Sequence, residues 1–128
     1  MSQLQYTDLD VWQVARKLVK EVYVQSRAFP KEEAFGLTSQ IRRAAISVPS
    51  NIAEGCGRSS SKESVHFYFI ARGSLYELET QLFLALDMGF LSHEAFESLI
   101  QQAERCKKLL NGFIRYFKAK YEQPSTNN

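Results

Sequence analysis

The amino-acid sequence predicts an all-α fold, an antiparallel up-down-up-down four-helix bundle. Apolar residues recur at helical spacing in four segments, short stretches of glycine, proline and serine separate them, and no segment alternates with period two for long. The 128 residues suit one domain with one core, and 45% hydrophobic with 23% charged residues excludes disordered and fibrous classes. The bundle is expected over 8–121, after a short N-terminal extension (1–7) and before a frayed polar tail (122–128). Its helices are expected at about 8–28, 37–55, 61–88 and 93–121.

In the first helix Thr7 or Asp8 offers an N-cap oxygen, and Val11, Val14, Ala15, Leu18, Val19 and Val22 share a face. Phe29-Pro30 ends it, because the residue before proline avoids the α region. The segment from Pro30 to Gly36 reads as one turn or a loop. The second helix follows, with Leu37, Ile41, Ala44, Ala45, Val48 and Ile52 as its stripe. Pro49 lies inside it and predicts a kink rather than a break, since the pattern continues in phase through Ile52 and Glu54. Gly55 to Ser59 is a connector. Ser60-Ser61-Lys62-Glu63 is a capping box for the third helix, and Gly89 suits a left-handed C-cap. Ser92 caps the fourth, whose stripe includes Phe96, Leu99, Ala103, Cys106, Leu110, Phe113, Ile114 and Phe117.

The third helix is apolar around too much of its circumference. Phe67, Ala71, Leu75, Leu78, Leu82, Ala85 and Leu86 form one stripe, with Val65, Phe69, Tyr76 and Phe83 beside it. One buried face needs only ~100°, so the excess predicts self-association through this helix. Its Arg72 and Glu79 fall among the aromatic residues, and the second helix carries a polar row of Gln40, Arg43, Ser47, Asn51 and Glu54. Buried charges must be paired. Arg43 or Arg72 is therefore expected to pair with Glu79 or Glu54, and Arg43, Asn51, Glu54, Arg72 and Glu79 to form a polar network or subunit interface. Glu79 is expected to be buried, Gln40 and Ser47 solvated.

Motifs for chemistry fail one by one. Gly55 to Lys62 lacks the lysine directly after the second glycine that a phosphate loop requires, and no strand precedes it. Ser59-Ser60-Ser61-Lys62 formally matches S-x-x-K, but its companion motifs are absent and capping explains it. His93 and Glu97 share a helix face, yet two ligands do not make a zinc site. No enzyme, cofactor or metal is expected. Cys56 and Cys106 stand far apart and read as thiols in a reducing cytoplasm, the expected location. With no secretion signal after Met1 and no run near ~18 apolar residues, no membrane association is expected.

The remaining candidates are basic. Arg16, Lys17 and Lys20 lie on the polar side of the first helix, and no acidic residue interrupts the fourth between Arg105 and Lys120. The net charge is only +2, too little to coat nucleic acid indiscriminately. Arg16, Lys17, Lys20, Lys108, Arg115 and Lys118 are therefore expected to bind RNA or DNA phosphates as a surface repeated around an oligomer.

Leu9-Asp10-Val11-Trp12-Gln13-x-Ala15, the run from Phe29-Pro30 through Phe35-Gly36-Leu37 to Ala53-Glu54-Gly55, and Gly73-Ser74-Leu75-x-Glu77-Leu78-Glu79 carry a resemblance. They resemble the four-helix-bundle proteins encoded in intervening sequences of bacterial 23S ribosomal RNA genes, whose relatives include accessory proteins of diversity-generating retroelements. The resemblance spans most of Leu9 to Leu91 and implies an antiparallel bundle assembling as a homopentameric ring. It also implies nucleic acid and a reverse transcriptase as partners of those relatives. The leading expectation is a non-enzymatic oligomeric RNA-binding scaffold. The alternative is a protein-interaction adaptor docking its partner on the aromatic or Asn51/Glu54 surface without nucleic acid.

Overall fold

Residues 5–122 are described in a computed structural model. They form four helices: α1 (Asp10–Ser26), α2 (Leu37–Cys56), α3 (Ser61–Asp87) and α4 (His93–Glu122). Single 3-10 turns occur at Tyr6–Asp8 and Lys31–Glu33, and no strand occurs among the described residues. The polar tail from Gln123 onward lies outside them. No helix among them is long and apolar enough to cross a membrane.

The helix ends follow local chemistry, with one correction. Neither Thr7 nor Asp8 caps α1. Both sit in a 3-10 turn that closes with Leu9 N–H donating to the Tyr6 carbonyl at 3.1 Å, and Leu9 takes the cap position without a side-chain hydrogen bond. Gln13 reaches back instead, its amide donating to the Thr7 carbonyl at 2.6 Å, while Tyr6 packs edge-on against Trp12. The Glu33 carboxylate accepts from Leu37 N–H at 3.1 Å and so satisfies the start of α2. Pro49 lies inside α2, which continues helical to Cys56. Ser60 Oγ accepts from Glu63 N–H at 3.2 Å, as a cap should, but the Glu63 carboxylate accepts from the Ser59 and Ser60 hydroxyls. At the other end of α3, Phe90 N–H donates to the Ala85 carbonyl and Gly89 N–H to that of Leu86. With φ of 76° at Gly89, this is a Schellman stop. Ser92 Oγ caps α4 through Ala95 N–H at 3.1 Å.

Each helix packs against two others: α2 against α1 and α3, α4 against α3 and α1. The diagonal pairs make no close backbone approach among the described residues. The anticipated stripes of α1, α2 and α4 meet in the centre, where Ala15, Val48 and Leu110 are fully buried. Three residues of α3 depart from expectation. Val65, placed beside the core stripe, is buried; Tyr68, placed on neither stripe, is the largest wholly buried side chain; and Phe67, placed on the core stripe, is only partly buried and lies outside the core. All three lie in the first turns of α3, which are drawn onto α2 by a 2.7 Å hydrogen bond from Ser64 Oγ to the Gly55 carbonyl.

Gly55 is therefore not a helix stop. It lies within α2 where α3 approaches closely. A Cβ there would stand 2.9 Å from the Ser64 carbonyl oxygen and collide with the Tyr68 ring. Gly55→Ala is expected to lower unfolding stability by about 1–3 kcal/mol in urea denaturation, despite alanine's better helix propensity, because the packed ring has nowhere to move.

Candidate nucleic-acid interface

Along the α3–α4 seam, Phe69 and Arg72 of α3 face Asn111, Ile114, Arg115 and Lys118 of α4 around a groove of about 350 Å³. Spacings of three on α3 and of three and four on α4 put these residues on the facing sides. Arg72 Nη1 donates to Asn111 Oδ1 at 3.1 Å, which fixes its guanidinium 4.8 Å from the centre of the Phe69 ring. Lys118 Nζ approaches the same ring at 5.8 Å. Arg72 and Lys118 thus converge on one aromatic residue, Arg115 lines the same groove, and no carboxylate is among the lining side chains.

Farther along the seam lies an ion pair that differs from the expected ones. Lys107 Nζ binds Glu79 Oε1 at 2.8 Å and Glu104 at 3.1 Å, and sits 4.4 Å from the Tyr76 ring centre. The Glu79 and Lys107 side chains are only 12% and 14% exposed, so this pair is shielded in a way surface pairs are not. Burial raises the Glu79 pKa above the ordinary carboxylate value despite Lys107, and its Oε2 has no hydrogen-bond partner. Burial pulls Lys107 down, but the two carboxylates together hold its pKa above the usual lysine value. Glu79 is partly rather than fully buried. Its partner within the chain is neither Arg43 nor Arg72: α4 brings Lys107 level with it, whereas Arg72 lies two turns away beside Asn111. Glu54 is exposed and paired with Arg58 one turn on.

The polar row of α2 turns inward at its middle. Asn51 donates to Ser47 Oγ at 2.9 Å, and the Ser74 hydroxyl of α3 lies 2.7 Å from that same oxygen. Ser47 is therefore part of an α2–α3 network rather than solvated, while Gln40 and Arg43 are exposed beside a shallow groove with Glu77.

The anticipated basic residues separate into two groups. Arg115 and Lys118 enter the seam groove; Lys108 is exposed on α4 outside it. Arg16 lies 5.5 Å from the Trp12 ring centre on α1, where Lys17 and Lys20 are also exposed. None of these three cations lines the seam groove. Arg72, read from the sequence as structural, belongs to the groove. Its position three residues after Phe69 in an apolar sector was the only signal.

The other motifs resolve into structure. Arg58 holds Glu54 and lies 4.4 Å from the Phe67 ring centre, and the Ser59 and Ser60 hydroxyls engage Glu63 rather than Lys62. The exposed Cys56 has its Sγ 3.6 Å from the Tyr68 hydroxyl, with its thiol pKa raised by burial, while burial pushes that of Cys106 up to about 12. Among the described residues no three potential metal ligands cluster.

The family model described as 23S rRNA-intervening sequence protein matches residues 7–112. The chain belongs to that family. In this member the match takes in Phe69, Arg72 and Asn111 but stops short of Arg115 and Lys118. Among solved structures, a protein of unknown function from the S23 ribosomal protein family of Bacteroides thetaiotaomicron is 24% identical with a TM-score of 0.74. The likeness covers 81% of this chain and 97% of that one, and it is a likeness of fold. No curated protein matches the chain.

Proposed function

We propose that the protein is a non-enzymatic, self-associating four-helix scaffold that binds RNA through the α3–α4 groove. One observation carries this reading: Arg72, Arg115 and Lys118 converge there with no carboxylate among the lining side chains. In a chain of net charge +2, such local concentration favours a polyanion over indiscriminate electrostatics. Self-association is supported by the flank of α3 away from α4, where Ile70, Leu84 and Met88 are exposed and a Cβ on Gly73 would meet nothing. Repetition of the groove around an oligomer adds avidity to a modest single site.

Binding of a structured RNA, followed across salt concentrations, tests the reading. Replacing Arg72, Arg115 and Lys118 together by glutamine is expected to weaken binding and flatten the slope of log K against log salt by about 0.7–0.9 per lost phosphate contact. No binding at low salt would overturn the proposal. A monomeric mass by light scattering would remove its self-associating part.

The exposed row of Ile70, Leu84 and Met88 also favours a second reading, a protein adaptor. Capture of a protein partner that survives nuclease and high salt, together with failure to bind RNA, would favour the adaptor. The Asn51/Glu54 surface gives that alternative little, because Ser47 and Arg58 already engage both side chains.

A further inference from the structure

We infer that the ligand of this seam is an unpaired stretch of nucleic acid, with bases seated on the exposed rings of Phe69 and Tyr76 and phosphates on Arg72, Arg115 and Lys118. The inference rests on the RNA-binding reading and narrows it.

The exposed apolar surface of α3 is sorted by chemistry. Toward α2 it is aliphatic: Ile70 and Leu84 flank Glu77 at intervals of seven, and Glu77 shares a groove with α2 residues. Toward α4 it is aromatic: Phe69, Tyr76 and Phe83 recur every seven residues, about 10.5 Å apart along the helix. They are 37%, 54% and 52% exposed. Each also touches a residue of α4, namely Lys118, Lys107 and Phe96.

A contact between apolar protein surfaces needs no such segregation of aromatic from aliphatic residues. Rings beside cations are what a nucleotide chain requires, because each unit presents one flat base and one phosphate. The Phe69 end of the seam supplies them; between Tyr76 and Phe83, Lys107 is already held by Glu79 and Glu104. Arg72 is held by Asn111 above Phe69, and its remaining N–H groups are left for an anion. A duplex makes poor use of the seam. Its base faces are closed within the stack, so it engages the cations and leaves the rings wet.

The test compares a short unstructured single-stranded RNA, fluorescently labelled, with the same sequence as a blunt duplex. The single strand is expected to bind more tightly. The double variant Phe69→Leu/Tyr76→Leu should weaken single-strand binding by about tenfold or more while leaving the salt slope unchanged, since stacking and not charge is lost. Melting by circular dichroism confirms that both exposed sites tolerate leucine, and an unchanged mass by light scattering confirms that the rings are not subunit contacts. Wild-type affinity in the leucine variant, tighter binding of the duplex, or a changed mass would overturn the inference. If the glutamine variants at Arg72, Arg115 and Lys118 still weaken binding, the RNA-binding reading stands without it. If no RNA binds at all, both fall.

Discussion

Replacing Tyr68 by alanine is expected to lower unfolding free energy by about 3–5 kcal/mol, as for other large aromatic side chains removed from a packed core. Tyr68 has no exposed surface and packs on Phe113 and Phe117, with ring centres 4.9 and 5.5 Å away. It also lies against Gly55, so the cavity would open where three helices meet and where α3 approaches α2 closely. Tyr68→Phe keeps the ring and gives up only a 3.6 Å approach to a thiol, so its cost should stay under about 1 kcal/mol. Urea denaturation of both variants separates packing from hydroxyl. The pair also predicts non-additivity: Gly55→Ala should cost less in the Tyr68→Ala background, because the ring its methyl group meets is gone. Equal costs in the two backgrounds would contradict the crossing described here.

Lys107→Met is also expected to destabilise, by about 1–3 kcal/mol near neutral pH, because it leaves the partly buried Glu79 without its counter-charge. The loss should depend on pH with a definite sign. Burial already raises the Glu79 pKa above its ordinary 4.5, and removing Lys107 raises it further. A group whose folded pKa is raised contributes stability below its unfolded pKa and loses it as pH rises through the folded one. The deficit of Lys107→Met should therefore be greatest at neutral pH and shrink on acidification toward 4.5, where Glu79 is protonated. Glu79→Leu should cost less than Lys107→Met, since Glu104 still holds Lys107. The combined Glu79→Leu/Lys107→Met variant should recover much of the loss, as apolar replacements of buried pairs do. Thermal melts at pH 5 and pH 7 check the sign, and a deficit that grows on acidification would refute it.

How far the sequence could be read differs from one feature to the next, for physical reasons. The caps Ser60, Gly89 and Ser92 act within one helical turn, so local sequence specifies them. Thr7 and Asp8 failed as caps for the same kind of reason: a competing 3-10 turn, tied by Tyr6 and Gln13, occupied their backbone. Tyr68 was missed because α3 is apolar on most sides, and periodicity cannot choose the buried face of a helix that offers several. The choice came from Gly55, whose missing side chain lets α3 approach. Charge partners were the least legible. Glu79 could be recognised as needing a cation, but the expected partners were Arg43 and Arg72, and Lys107, 28 positions away, emerged only when helix register placed it there.

The sequence by itself determined the number of helices, most of their ends, the core faces of three of them and the surplus apolar surface of the fourth. Each depends on residues within a few turns of one another, where helical geometry converts spacing into direction. Only the tertiary structure decided which cations lie together. It joined Arg72 to Arg115 and Lys118 in one groove with Phe69, withdrew Lys107 into an ion pair, and left Arg16, Lys17 and Lys20 outside that groove. That sorting depends on which helices are neighbours and on their axial register, and these are set by the packing of the whole core.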